Sequence, residues 1–180
     1  MGIIGEKISW YAIKVFWNKV FDVEKVLKTD GCESYIPCRK VVTEGKGGQA
    51  CGRKTIIPSL MFFRSTEQYA HDLQARLTDR IMLYTYLDKN NVRHPFPIPE
   101  KEMQMFMLVT SADDDGLECY HEEYMRHKVG EKVRVTGGLF KGAEGYIKRI
   151  KHNRRLTVTV TGVCMVATSY IEPYFLEKID

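Results

Sequence analysis

The sequence predicts an α+β protein, in which an antiparallel sheet flanked by helices is followed by a small β-barrel. Three observations predict it. Strand-like and helix-like apolar periods alternate from Trp10 to Met107, the mixture that packs helices on an antiparallel sheet. An acidic, glycine-containing stretch, Asp113-Asp114-Asp115-Gly116-Leu117-Glu118, then breaks the apolar periodicity. Beyond it the chain returns to period-two segments around glycine-rich turns, at Val129 to Val135, Gly145 to Ile147 and Arg155 to Thr161.

Each element has its own reason. Trp10-Tyr11-Ala12-Ile13-Lys14-Val15-Phe16 is aromatic and β-branched, the composition of a central strand. Asn18 is placed to cap the helix that follows, where Val20, Val23, Val26 and Leu27 recur at helical spacing until Asp30-Gly31 stops it. Ser34-Tyr35-Ile36-Pro37-Cys38 opens a second strand, whose proline marks an edge or an end. Lys40 to Lys54 is polar, carries Gly45, Gly47 and Gly48, and is expected to be a flexible hairpin. Ile56 to Phe63 is the most apolar strand. Glu67 to Arg80 has helix spacing through Tyr69, Leu73 and Leu77, and Ile81 to Tyr86 is a further strand. Pro95, Pro97 and Pro99 forbid regular structure until Glu100 opens a helix through Met103, Phe106 and Met107. Lys151-His152-Asn153-Arg154 is expected to turn between strands, with Arg155 beside it.

A chain of 180 residues holds one ordinary domain or two small ones. The expected boundaries are a first domain at 8–112, an acidic solvated linker at 113–126 and a barrel at 127–180. Formal charge divides accordingly: +4 over residues 1–112, −5 over 113–126 and +5 over 127–180. Two basic blocks with a mild overall excess point to contact with a polyanion rather than tight nonspecific coating of it. No apolar run approaches the roughly 18 residues of a membrane span, and residues 1–7 lack the charged-then-apolar order of a secretory signal. The chain is therefore expected in the cytoplasm, without membrane contact. Its five cysteines include no C-x-x-C pair, which indicates neither a disulfide framework nor a zinc ribbon. The five histidines are scattered, and Gly45-Lys46-Gly47-Gly48 lacks the Lys-Ser/Thr ending of a phosphate loop. Neither catalysis, nor a cofactor, nor a metal is expected.

Val129-Gly130-Glu131-Lys132-Val133-Arg134-Val135, followed by Gly137-Gly138-Leu139-Phe140-Lys141-Gly142-Ala143-Glu144-Gly145-Tyr146-Ile147, resembles a KOW motif. The resemblance implies that Gly145 sits where the strand bends and its backbone comes close to a neighbour. Such SH3-like barrels occur mainly in NusG-type elongation factors and in ribosomal proteins. The first part of the chain resembles the NGN domain of NusG-type factors. It does so through Trp10-Tyr11, Tyr35-Ile36-Pro37 with Val41-Val42, Arg53-Lys54 through Ile57-Pro58-Ser59-Leu60, and Pro97-Ile98-Pro99-Glu100-Lys101-Glu102-Met103. Together the two resemblances cover residues 8–109 and 127–179. Within that class the chain is most similar to the UpxY-type paralogues that serve capsular polysaccharide operons. The similarity rests on Trp10-Tyr11-Ala12 with Asn18-Lys19-Val20-Phe21, on Ile57 to Thr66, and on Val166-Ala167-Thr168-Ser169-Tyr170-Ile171. Ser59 and Leu60 stand where the general factor has Gly and Tyr, Val163-Cys164-Met165 where it has a Phe-Gly-Arg-like segment, and Ala143 where it has an aromatic residue. Aromatic residues and arginines are frequent binding anchors, so their loss argues against the general factor's termination-factor and ribosomal contacts.

The resemblance implies a factor that binds RNA polymerase and promotes processive transcription, antiterminating a specific capsular polysaccharide operon. The alternatives are a housekeeping NusG-like elongation factor and a KOW-type RNA- or ribosome-binding protein. It implies that Ile57, Leu60, Phe62 and Tyr84 form a pocket for the clamp helices of RNA polymerase, the helix-in-groove mode. Side-chain parity sets Ile57 and Phe63 against Phe62, which leaves core packing as the other reading. It implies that His71, Gln74, Arg76 and Arg80 touch the non-template DNA strand or nascent RNA, cations on phosphate and His and Gln on base edges. Asp72 and Asp79 are interleaved among them, so a solvated helix face is the alternative. Phe140, Lys141, Arg154, Arg155, Val163 and Met165 are expected to meet the barrel's partner, and Lys141, Lys148, Arg149, Lys151, Arg154 and Arg155 form a basic rim around its loops. That partner is a ribosomal protein, a termination factor or RNA, and simple solubility is the competing role of the charges. The chain is expected to be a monomer.

Overall fold

The computed structural model describes residues 7–45, 48–112, 114–121, 130–150 and 152–180. The chain divides into two compact units, Met1–Ile36 with Ile57–Glu100, and Pro37–Ile56 with Lys101–Asp180. In chain order the elements are β1 (Ser9–Val15), α1 (Val20–Thr29), β2 (Glu33–Tyr35), β3 (Cys38–Gly45), β4 (Gly48–Thr55), β5 (Leu60–Ser65), α2 (Glu67–Arg76), β6 (Ile81–Leu83), β7 (Thr85–Leu87) and β8 (Arg93–Pro95). They continue with α3 (Glu100–Ser111), β9 (Glu118–His121), β10 (Glu131–Val135), β11 (Glu144–Ile150), β12 (Asn153–Val160), β13 (Cys164–Tyr170) and β14 (Leu176–Lys178). The fold is α+β with antiparallel sheets, as the alternation of periods predicts.

In the first unit, β2, β5, β1 and β6 form an antiparallel sheet in that order. Strand β1 lies inside it, paired with β5 on one side and β6 on the other, and is buried at every position except Lys14. A strand covered on both faces reads as an apolar run, as Trp10 to Val15 does; Phe16, expected in the same strand, instead opens the 3-10 turn Phe16–Asn18. Helix α1 buries Val20, Val23 and Leu27 on its inner face. It ends on Gly31 at φ +70°, where the N–H of Cys32 returns to the carbonyl of Leu27 and that of Gly31 to Lys28, satisfying carbonyls a helix end leaves open. Thr66 caps α2 by accepting from the N–H of Tyr69 at 3.2 Å.

Four local expectations are corrected here. Asn18 does not cap α1; it sits at φ +55° and its Oδ1 accepts from the N–H of Ser59 at 3.0 Å, tying the turn after β1 to the turn before β5. The strand expected from Ile56 begins only at Leu60, because Pro58 and Ser59 form a turn in which Ser59 has φ +64°. The strand expected over Ile81 to Tyr86 is two: β6 pairs with β1, while β7 leaves to pair with β8. Pro95 closes β8, at the end of a two-stranded ladder where a missing donor costs little.

In the second unit a six-stranded antiparallel sheet runs β14-β10-β11-β12-β13-β9, and β3 pairs with β4 as a separate two-stranded ribbon. Gly145 behaves as expected: a Cβ there would lie 2.4 Å from the carbonyl oxygen of Thr157, so β11 and β12 approach through a position that admits no side chain. The turn expected at residues 151–154 is tighter, since Ile150 already pairs with Asn153 and His152 takes φ +68°. Lys151 lies outside the described residues, and Arg154 and Arg155 belong to β12.

The acidic joint also differs from a solvated linker over its described part. Asp114 is buried and accepts from the N–H groups of Gly116 and Ser169, each at 2.9 Å. Leu117 is buried, and Glu118 to His121 form β9 against β13. Carboxylates that accept backbone hydrogen bonds can be buried, so acidity alone does not make a stretch a linker. Residues 113 and 122–129 lie outside the described residues.

Candidate functional site

The four residues expected to form a pocket for polymerase helices are not equally accessible. Ile57 is buried, Leu60 is 4% exposed and Phe62 is 0% exposed, while Tyr84 is half-buried. Leu60 and Phe62 share one face of β5 and stand opposite Lys14 and Ala12 of β1, and Phe62 also stands opposite Tyr35 of β2. They are core residues of the sheet, not surface anchors. Both faces of β5 are covered over Leu60 to Phe63, which the sequence does not display.

The exposed large apolar residues described in the same unit lie elsewhere: Ile8 before β1, Trp17 in the turn after β1, Met82 on β6, Tyr86 and Leu87 on β7, and Val92 before β8. Trp17 and Asn18 both take φ +55°, a left-handed backbone uncommon for residues with a Cβ. Tyr86 packs against His94, ring centroids 5.6 Å apart, and against Phe96 at 6.0 Å. This cluster borders an open cleft of about 610 Å³ lined by Tyr11, Glu67, His71, Tyr86, His94 and Pro97 among others. Glu67, His71 and His94 of its lining belong to a carboxylate–imidazole network. His94 Nδ1 lies 2.8 Å from Glu67 Oε1 and its Nε2 3.6 Å from Asp88 Oδ2, while His71 Nε2 is 3.7 Å from the same Glu67 oxygen. The Glu67 hydrogen bond, with the charge of Asp88 adding to it, raises His94 above the usual imidazole range. Asp88 is held below the ordinary carboxylate value, first by the N–H of Val92 and then by that of Asn90.

The residues expected to touch nucleic acid part company. His71 and Arg80 are exposed but line different clefts; Arg80 faces Trp17, Lys19 and Asp79. Gln74 is occupied with the fold. Its amide donates to the carbonyl of Ile81 at 3.1 Å and accepts from the N–H of Leu83 at 2.7 Å, joining α2 to β6. A side chain with both ends committed to backbone cannot read a base edge. Arg76 is hydrogen-bonded and ion-paired to Asp30, which also accepts from the hydroxyl of Tyr69 at 2.5 Å. The guanidinium lies 5.9 Å from the centre of the Tyr69 ring. The Arg76 hydrogen bond holds the Asp30 carboxyl below its usual range.

The barrel set divides the same way. Phe140, Val163 and Met165 are buried, Lys141 and Arg154 are exposed, and Arg155 is half-buried. Arg155 is a structural ion: its Nη1 lies 3.0 Å from Glu118 and 3.3 Å from the carbonyl of Gly116, tying β12 to the start of β9. Leu139, Tyr170 and Tyr174 are exposed apolar residues of this unit that were not among the expected contact residues. Each lies next to a strand end or turn, and only the register decides that it points outward.

Among the described residues no group of three or more His, Cys, Asp or Glu is placed to hold a metal ion. Burial pushes the Cys119 thiol up to about 11 and raises Cys164 further, the behaviour of inert packing thiols. Among the described residues no helix is long and apolar enough to cross a membrane.

Comparison with known proteins supplies the family. No curated protein matches the chain. Among solved structures, one described as "Domain interaction in Thermotoga maritima NusG" is 19% identical, with a TM-score of 0.48 over 97% of this chain and 98% of that one. Residues 8–107 match the family described as "NusG: Transcription termination factor nusG". The match starts beside β1, runs through the whole sheet of the first unit and ends inside α3, more than half of the chain, and on that basis the protein belongs to the NusG family of transcription factors.

Proposed function

We propose that this chain is an operon-specific member of its family, an antitermination factor most like the UpxY type that serves capsular polysaccharide operons. Family membership makes it a factor of transcription elongation or antitermination, and NusG-family proteins bind RNA polymerase. The observation that carries the specialised reading lies in the barrel. Where the general factor's pattern has an aromatic residue and an arginine, this chain has Val163 and Met165, and both are buried. That position therefore presents neither anchor type to a termination factor or a ribosomal protein.

In this reading the first unit takes the clamp helices of RNA polymerase through half-buried Tyr84 and exposed Tyr86, Leu87 and Val92, since a helix groove needs apolar anchors that reach the surface. Ile57, Leu60 and Phe62 keep the sheet that carries them. The work is binding work. Holding the polymerase in its active state against pausing is a population shift, and a differential affinity of about one to two kcal/mol suffices for a sizeable change in pausing.

The test combines a pull-down of the full chain from its native cells with deletion of its gene. Polymerase subunits are expected in the pull-down, and deletion is expected to lower distal transcripts of one capsular operon without impairing growth. Titration of the purified chain with the termination helicase is expected to show weak binding or none. Ribosomal subunits without polymerase would overturn the elongation reading. Helicase affinity equal to that of a housekeeping factor, or lethality of the deletion, would overturn the specialised one.

A further inference from the structure

The β7–β8 hairpin leaves the sheet and pairs with itself, and it carries Tyr86, Leu87 and Val92, the exposed apolar residues given above to the polymerase. Its tip is fixed locally. Asp88 Oδ1 accepts from the N–H groups of Asn90 and Val92, each at 2.8 Å, and the N–H of Asp88 donates to the carbonyl of Val92 at 2.9 Å. A ladder sets two strands against each other but does not set how the pair leans on the rest of the unit. His94 reaches from the hairpin to α2. It stands directly opposite Tyr86 in the ladder, and the two rings lie 5.6 Å apart at an interplanar angle of 30°. Its Nδ1 lies 2.8 Å from Glu67, which sits in the first turn of α2, where the helix dipole favours a negative charge. Its Nε2 lies 3.6 Å from Asp88. A neutral imidazole has one N–H and can turn it to one of the two carboxylates, whereas an imidazolium presents an N–H to each.

We infer that His94 is a positioning residue of the polymerase contact: its imidazolium pins the hairpin to α2 and holds Tyr86 in the orientation that grips the enzyme, so that polymerase capture weakens when His94 loses its proton. This role stands on the polymerase contact proposed above. The groups facing His94 set the sign. The hydrogen bond from Glu67 of α2, with the charge of Asp88 in the hairpin, favours the imidazolium and raises His94 above the ordinary imidazole value. An imidazolium against the Tyr86 ring is also attracted to it. Opposing it are the exposed cations Lys7 and Arg93 of the same cleft, and His71 of α2 when charged, which lies 3.7 Å from the same Glu67 oxygen. Tyr11 of β1 lines the cleft as a neutral phenol, raised by burial and then by the charge of Glu67. Capture is therefore strongest at low pH and is lost as pH rises through the folded value of His94.

The experiment is biolayer interferometry of purified RNA polymerase on the immobilised full-length chain, in a buffer series between about pH 6 and 8.5, with the His94 midpoint of the free chain read by NMR. Melting temperatures over the same series keep each titration well inside the folded range. Wild-type affinity is expected to fall by at least about fivefold across the His94 midpoint. Glu67→Gln is expected to move the NMR midpoint and the capture midpoint down together, a coupling that a merely structural His94 would not produce. His94→Gln, which keeps a neutral donor, is expected to bind at the weak level that wild type reaches at high pH and to lose the step. A wild-type affinity constant across the His94 midpoint, the same step in His94→Gln, or a capture midpoint that stays while the NMR midpoint moves would overturn the inference and leave the polymerase reading intact. Absence of polymerase capture by wild type at every pH would overturn the polymerase reading and this role with it.

Discussion

Replacing Phe62 by Ala separates a core residue from a binding anchor. Its side chain is 0% exposed, its strand pairs on both sides, and the residues opposite it are Ala12 and Tyr35. Removing a buried phenylalanine ring costs about 3–5 kcal/mol, because the lost transfer energy is joined by a cavity that the sheet cannot collapse. At about 4–8 °C per kcal/mol for a unit of this size, the melting temperature falls by roughly 12–40 °C. Tyr86→Ser is the comparison. Tyr86 is exposed apart from its ring contacts with His94 and Phe96, so its loss is expected to cost about 1–2 kcal/mol, well below the cost of Phe62→Ala, while weakening capture of RNA polymerase. Thermal denaturation followed by circular dichroism, with polymerase pull-down on the same preparations, reads both quantities. The reasoning fails if Phe62→Ala melts within a few degrees of wild type yet loses the polymerase. Phe62 would then be the surface anchor that the family resemblance implies, and the burial seen here would not govern its role.

Two further outcomes follow from groups the fold has committed. Gln74→Ala leaves the carbonyl of Ile81 and the N–H of Leu83 without their side-chain partner, at a cost of about 1–3 kcal/mol for each group that water does not reach. It is expected to lower the melting temperature with no change in nucleic-acid affinity beyond the loss of folded protein; reduced affinity at full stability would restore Gln74 as a contact residue. His94 is raised in the folded state by Glu67 and Asp88, so its contribution is fully present below the ordinary imidazole value of 6.5 and is lost as pH rises through the higher folded value. Melting temperature is therefore expected to decline across that window in a series between about pH 5 and 8, with Glu67→Gln flattening the decline and lowering the His94 midpoint read by NMR. A His94 midpoint unmoved by Glu67→Gln would refute the assignment.

Sequence alone determined the class of the fold and most of its elements, because those depend on local period and backbone chemistry. Trp10 to Val15 has the composition of a central strand and is one, Asp30-Gly31 stops a helix, and the motif resemblance marked at Gly145 a close approach that the carbonyl of Thr157 now explains. Those signals, in that order, also carried the family. What sequence could not determine was which side of each element would be covered. Leu60 and Phe62 alternate correctly for an exposed pocket and are core because both faces of β5 are covered over Leu60 to Phe63. Gln74 and Arg76 look like a binding face and are bonded to Ile81, Leu83 and Asp30, partners distant along the chain or on other elements. Glu118 reads as linker and is strand because β13 offered it an edge. The pairing of His94 with Tyr86 appears only once the register of the hairpin sets one opposite the other. Period and propensity act over a few residues, whereas exposure, pairing and charge juxtaposition are properties of neighbours brought together from afar, and only the tertiary structure supplies them.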